Sequence, residues 1–178
     1  MTDELDALRF PIGPPELDAE LDAAGRDRHL RSIETLPGRL RDAVADLADE
    51  QLDTPYRPAG WTVRQVIHHL PDSHMNAYIR FKLAVTEADP TIQLYDEAAW
   101  AREPEASSGP VGLSLDLVEA LHRRWALWMR RLDGASWFRT VRHPEMGTLD
   151  LNQLLCMYGW HSEHHLAHIL RLRAREGW

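Results

Sequence analysis

A single cysteine, Cys156, stands in the 178 residues of this chain. No intramolecular disulfide can form, so a small secreted scaffold stapled by disulfides is excluded. No apolar run approaches the ~18 residues that a membrane-spanning helix needs. The opening stretch MTDELDALRFPIGPP lacks the basic start and apolar core of a signal peptide and carries acids in their place. A cytoplasmic protein without a membrane partner is expected. Blocks of basic residues are missing too. Arg171, Arg173 and Arg175 gather only near the end of the chain, where cations complement a helix C-terminus. With a net charge of -8, the chain is not expected to grip nucleic acid. Neither an internal repeat nor a low-complexity tract is present, and no Ser-His-Asp or Cys-His arrangement is readable.

What is present is an ordinary globular composition, 44% hydrophobic and 27% charged, expected to form one domain over residues 1–178. Pro11, Gly13, Pro14 and Pro15 mark residues 1–24 as an extended arm. From about Arg26 to Glu50, Leu30, Ile33, Leu36, Leu40, Val44 and Leu47 recur at helical spacing, with Pro37 as a kink. Thr62 and Gln65 form a T-x-x-Q capping box that opens a second helix reaching about Glu87, with Pro71 inside it. A long connection over 88–112 follows. A third helix starts near Ser114, carries Leu117, Val118, Leu121, Trp125, Trp128 and Leu132 on one side, and ends at Gly134. FRTVRHPEMGTLDL reads as a short β-hairpin. Asp150 and Gln153 then cap a last helix to about Arg175. The fold class is all-α: a four-helix bundle with a long crossover, in which metal sites lie between facing helices.

Ten histidines stand out. In WHSEHHLAHI, His161, His164, His165 and His168 share a stripe roughly 100° wide on the last helix. His161 with His165, and His164 with His168, are both i,i+4 pairs able to chelate one cation, and spacing does not choose between them. Glu163 points about 200° from His161, so the H-E-x-x-H protease signature is not met. On the second helix, His69 lies on a polar line with Gln65, Ser73, Asn76 and Arg80. Such a line more often faces solvent than a cavity. His68 is read as exposed and His74 as a hydrogen-bonded core residue. His29, His122 and His143 are read as surface residues or local hydrogen-bond partners, and Cys156 points away from the site.

The runs DTPYRPAGWTVRQVIHHLPDSHMNAYIRFKLAVTE, YDEAAW and WHSEHHLAHI together resemble the YfiT-like branch of the DinB superfamily. The resemblance covers nearly the whole chain and is softer over residues 100–145. It implies a four-helix bundle in up-down-down-up order and one divalent metal ion per chain, zinc or nickel, held by three histidines. The ligands it implies are His69, the second histidine of the H-H-L step, with His161 and His165. Pro71, where a family member carries alanine, is a departure close to the first ligand.

The resemblance further implies a metal-dependent hydrolase that activates water on a small-molecule substrate. A second implied chemistry is transfer of a low-molecular-weight thiol, such as bacillithiol, onto electrophiles; a metal-binding stress protein without turnover is a third. Asn76 and Arg80, about two and about three turns beyond His69, are expected to hold an anionic group. Tyr95 and Trp100 on the long connection are expected to cap the pocket. Trp125 and Trp128 suit either a dimer face or the core, and the resemblance leans towards a homodimer.

Overall fold

The computed structural model describes residues 2–17 and 20–178. Four long helices form the bundle: α2 (Ala23–Val44), α4 (Val63–Thr86), α7 (Val111–Met129) and α8 (Leu151–Glu176). Both capping boxes exist. The Thr62 hydroxyl accepts from Gln65 N while Gln65 Oε1 accepts from Thr62 N, and Asp150 with Gln153 repeats the exchange at α8. These bonds satisfy donors that a helix start leaves orphaned, and so fix where both histidine-bearing helices begin. The helices run on through Pro37 and Pro71. Between the long helices lie α3 (Asp49–Leu52), α5 (Glu97–Trp100) and α6 (Pro104–Ser108). The expected hairpin pairs β1 (Thr140–His143) with β2 (Gly147–Asp150), antiparallel, with His143 opposite Gly147.

Side-chain partners give the helix directions. Along α2 and α8, His29 meets Gly159, Arg39 pairs with Glu163 and Asp46 with Arg173, so these two run parallel. Along α4 and α7, His68 meets Ser114, His74 meets His122 and Phe81 meets Trp125, again parallel. Between α4 and α8 the order reverses: His69 faces His165, while Phe81 faces Tyr158. Between α2 and α7 it reverses too, from Ile33 with His122 to Arg41 with Asp116. The order is up-down-down-up. Because α4 and α7 are parallel, the chain must travel back along the bundle between them, which accounts for the long crossover.

Three features differ from the sequence reading. The arm expected over 1–24 contains a helix, α1 (Thr2–Arg9), built from the helix formers of TDELDALR before Pro11 stops it; residues 1, 18 and 19 lie outside the described residues. The first long helix ends at Val44, and Asp49–Leu52 turns separately as α3. The buried face of α7 runs through Ser114, Leu115, Val118, His122, Trp125, Ala126 and Met129, leaving Leu117 exposed. Trp125 is fully buried, so it serves the core and not a dimer face.

The core has two apolar clusters. One surrounds Phe81, Trp125, Leu154 and Leu155; the other joins Leu36, Leu40, Ile67, Leu70, Val118, Leu166 and Ile169. Between them lies a polar stratum of His74, His122 and Ser162, all fully buried.

At Gly159, α2 and α8 come so close that an added Cβ would stand 2.6 Å from His29 Nδ1 and 2.9 Å from its Cβ. Gly159→Ala gains about 1 kcal/mol of helix propensity, but overpacking costs about 1–3 kcal/mol, and the His29 Cβ cannot swing aside. Net destabilisation of about 1 kcal/mol is expected, measured as a lower urea midpoint with unchanged slope.

Candidate metal centre

Three histidines from two antiparallel helices meet where α4 crosses α8. His69 Nε2 lies 3.2 Å from His161 Nε2, and one ring nitrogen from each of His69, His161 and His165 falls within 4.8 Å of the others. Two imidazole nitrogens on one tetrahedral zinc, each about 2.0–2.1 Å from it, sit roughly 3.4 Å apart. The separation therefore fits a shared cation. The donor set fits as well, since imidazole suits zinc, nickel, copper and iron alike.

His69 projects from α4 about two turns past its Thr62 cap, with the Trp61 ring 4.7 Å from its own. His161 and His165 lie one turn apart on α8, ring centroids 4.4 Å apart. Burial lowers the pKa of His69 to about 4 and holds His161 and His165 well below the usual histidine range. All three are neutral at pH 7 and present lone pairs, the state ligation requires.

A second trio, His164, His165 and His168, also brings three nitrogens together. It differs in what it faces. His69, His161 and His165 all line a cavity of about 790 Å³, whereas His168 does not; its Nε2–H donates to the Arg9 carbonyl at 3.1 Å. An open catalytic site needs a coordination position facing substrate, which the first trio has. His164 lines the cavity wall and stacks on Trp160, ring centroids 4.2 Å apart.

The cavity continues along the polar line of α4. Ser73 and Arg80 line it, so the line faces a cavity there and not bulk solvent. The Arg80 guanidinium donates to Tyr158 Oη at 2.7 Å and to the Gln93 carbonyl at 2.9 Å. Tyr95 forms part of the wall. Trp100 packs behind it, ring centroids 4.5 Å apart, and is not itself a lining residue. Asn76 is not one either; its amide donates back to the Asp72 carbonyl at 2.9 Å. Arg9 and Arg57, which sequence reasoning passed over, join Arg80 in the lining. Among the described residues, none of these three arginines is in an ion pair with a carboxylate.

Several other histidines are now placed. His68, expected to be exposed, is buried: its ring bonds Ser114 Oγ at 2.7 Å and the Gly109 carbonyl at 3.2 Å, because α7 and the segment before it cover that side of α4. His74 is a hydrogen-bonded core residue, as read, and its partner is His122. Glu163 points away from the site and makes a bidentate pair with Arg39, at 2.6 and 2.8 Å. Cys156 is buried in the core, away from the cavity.

The family model of the DinB superfamily matches residues 32–169, a span that includes all three histidines. The chain belongs to the DinB superfamily. Within it, a protein of Oceanobacillus iheyensis is 48% identical over 170 residues, covering 96% of this chain and 98% of its own. One from Bacillus mycoides is 47% identical over 171 residues, with the same coverage. The names of both assign them, provisionally, to the metal-dependent hydrolases. The solved structure of YfiT from Bacillus subtilis, described as a probable metal-dependent hydrolase with an unusual four-helix bundle topology, superposes with a TM-score of 0.94. It is 43% identical, covering 97% of this chain and 99% of that one. A four-helix bundle protein, TT2238, shares the fold at a TM-score of 0.54 and 19% identity, covering 86% of this chain and 99% of its own. No helix among the described residues of this DinB chain is long and apolar enough to cross a membrane.

The histidines couple stability to pH. His69, His122 and His168 are pushed down to about 4, and His164 to about 3, chiefly by burial. The unfolded chain takes up protons near pH 6.5, and the folded interior refuses them until about pH 4. Folded pKa values below unfolded ones mean stability is full above pH 6.5 and is lost as pH falls towards 4. Thermal unfolding of the metal-free protein at pH 7.5, 6, 5 and 4.5 is expected to show a progressively falling Tm. A flat profile would remove this account of the buried rings.

Proposed function

We propose that this protein is a metal-dependent hydrolase acting on a small anionic substrate, with His69, His161 and His165 as the metal ligands. The observation that carries the reading is the convergence of three neutral imidazoles on one wall of a cavity that also holds Arg9, Arg57 and Arg80. The metal-dependent hydrolase names of the relatives support it.

A divalent metal on three imidazoles supplies Lewis acidity and a water acidic enough to ionise near neutral pH. The chain supplies the rest. Arg80, held by Tyr158 and the Gln93 carbonyl, presents its charge without a carboxylate to neutralise it, and Arg9 and Arg57 add two more cations. An anionic group bound there is held in register with the histidine wall, and positioning of this kind lowers the barrier by prepaying orientation. Trp61, Tyr95 and Trp160 give the cavity apolar flanks that limit water around the reacting group.

The same arginines favour a second reading, transfer of a small anionic thiol, in which a low-molecular-weight thiol is the co-substrate at the metal. Zinc and nickel are the metals proposed, one ion per chain.

Two experiments test these readings. The protein loaded with zinc or nickel is offered a panel of carboxylated esters and amides, and separately an anionic thiol with an electrophile. His69→Ala, His161→Ala and His165→Ala are expected to lose metal by more than the ~100-fold typical of outer-shell changes, with activity lost in parallel. Stoichiometric metal retained in all three would sink the site. Arg80→Ala is expected to raise KM for the anionic substrate about tenfold, leaving neutral analogues unaffected.

A further inference from the structure

A chain of imidazoles crosses all four bundle helices in the stratum between the two apolar clusters. The Ile33 carbonyl of α2 lies 2.6 Å from His122 Nδ1 of α7. His122 Nε2 lies 2.6 Å from His74 Nδ1 of α4, and His74 Nε2 lies 2.9 Å from His161 Nδ1 of α8. Beyond His161 is only the metal centre.

The direction of every bond in this chain follows from its end. A carbonyl oxygen only accepts, so the proton of His122 is on Nδ1. A neutral imidazole has one N–H, which makes His122 Nε2 an acceptor and obliges His74 to donate from Nδ1. His74 Nε2 is then an acceptor in turn and receives the N–H of His161 Nδ1. What remains is a lone pair on His161 Nε2, the atom 3.2 Å from His69 Nε2.

Resting on the metal-site reading above, we propose that His74 and His122 are positioning residues that lock His161 in the Nδ1–H tautomer and dedicate its Nε2 to the metal. The Ile33 carbonyl is the fixed point from which the tautomer is relayed across the bundle. A shorter chain does the same for His165. The Arg9 carbonyl takes the N–H of His168 Nε2, and His168 Nδ1, 3.4 Å from His165 Nδ1, then takes the N–H of that ring. Both ligands on α8 thus have their remaining lone pair on Nε2, each dictated by a backbone oxygen from a different part of the chain. Partners of this kind orient a ligand ring and raise its basicity, and losing one costs about 10–100-fold in metal affinity.

The test begins with the metal-free wild-type protein. Histidine ¹⁵N spectra at neutral pH are expected to place the His161 proton on Nδ1, with Nε2 bare. His122→Phe keeps the ring bulk but offers His74 no acceptor, so His74 is free to reverse and donate towards His161. In that variant the His161 proton is expected to move towards Nε2, and Co²⁺ affinity by chelator competition to fall 10–100-fold. His122→Gln, whose amide offers an NH2 to donate to the Ile33 carbonyl and an oxygen to accept from His74, is expected to restore most of that affinity. A wild-type His161 protonated on Nε2 would overturn the proposal. So would a folded His122→Phe with wild-type affinity and unmoved His161 signals. Should His122→Phe fail to fold, the wild-type spectrum still decides the tautomer. Failure of the wild-type protein to bind any metal would count against the metal reading, a result separate from the spectrum of the metal-free protein.

Discussion

The structure turns on one constraint: a layer of imidazole rings inside a helical bundle must stay neutral and must have its nitrogens satisfied. A buried polar group without a partner costs about 1–3 kcal/mol, and a buried charge costs far more. This protein meets the requirement for most of its rings with acceptors that cannot be mutated away as side chains; among the described residues His164 Nδ1 is the buried imidazole nitrogen left without a partner. The carbonyls of Ile33, Gly109 and Arg9 each receive one histidine ring, while Ser114 takes another nitrogen of His68. Because α2, α4, α7 and α8 each contribute to one chain of contacts, sliding any helix by a turn would strand a ring between apolar clusters. The imidazole layer therefore favours one axial register, in the way that buried polar residues specify register in other bundles.

The cavity inherits its character from that layer. Its floor is uncharged, since burial keeps the rings deprotonated. Its lining carries three guanidinium groups, Arg9, Arg57 and Arg80, against two carboxylates, Glu97 and Glu145, and among the described residues none of the three is ion-paired, although the chain as a whole bears a charge of -8. Several arginines elsewhere are paired with carboxylates, as Arg39 is with Glu163 and Arg64 with Asp49 and Asp53. A cluster of cations in a concave place of an acidic molecule focuses a positive field there.

Much of the bundle was legible in the sequence. Thr62 with Gln65 and Asp150 with Gln153 announced two helix starts by chemistry that needs no tertiary context, and the PEMG turn announced the hairpin. The α1 helix was obscured because the prolines and glycine just after it dominate the local signal. For the site, helical spacing brought four histidines of α8 onto one stripe, yet two i,i+4 pairs were equivalent on that stripe, and only the family resemblance separated them. A helical wheel gives direction but not partners. His68 was misread because Ser114 lies 46 residues away in sequence. The link from His122 to His161 was invisible for the same reason, since each of its contacts joins different helices. Arg9 reaches the cavity from the end of the obscured α1 helix, and Arg57 from a turn-rich connector with no periodicity to read.

The parallel run of α4 and α7 has a consequence for how such a protein can diversify. Two consecutive helices that point the same way cannot be joined by a tight turn; the chain must retrace α4, about 36 Å for its 24 residues. Tyr95, Glu97 and Ala98, which border the cavity, belong to that return path. The connectivity thus obliges the molecule to carry spare backbone across the mouth of its cavity, outside the imidazole layer and outside most of the apolar packing. Loops placed so tolerate insertion and substitution far better than packed helices do. One wall of the cavity is consequently open to redesign while the histidine wall opposite is locked into packed helices, a division between changeable and fixed surface that is written into the winding of the chain.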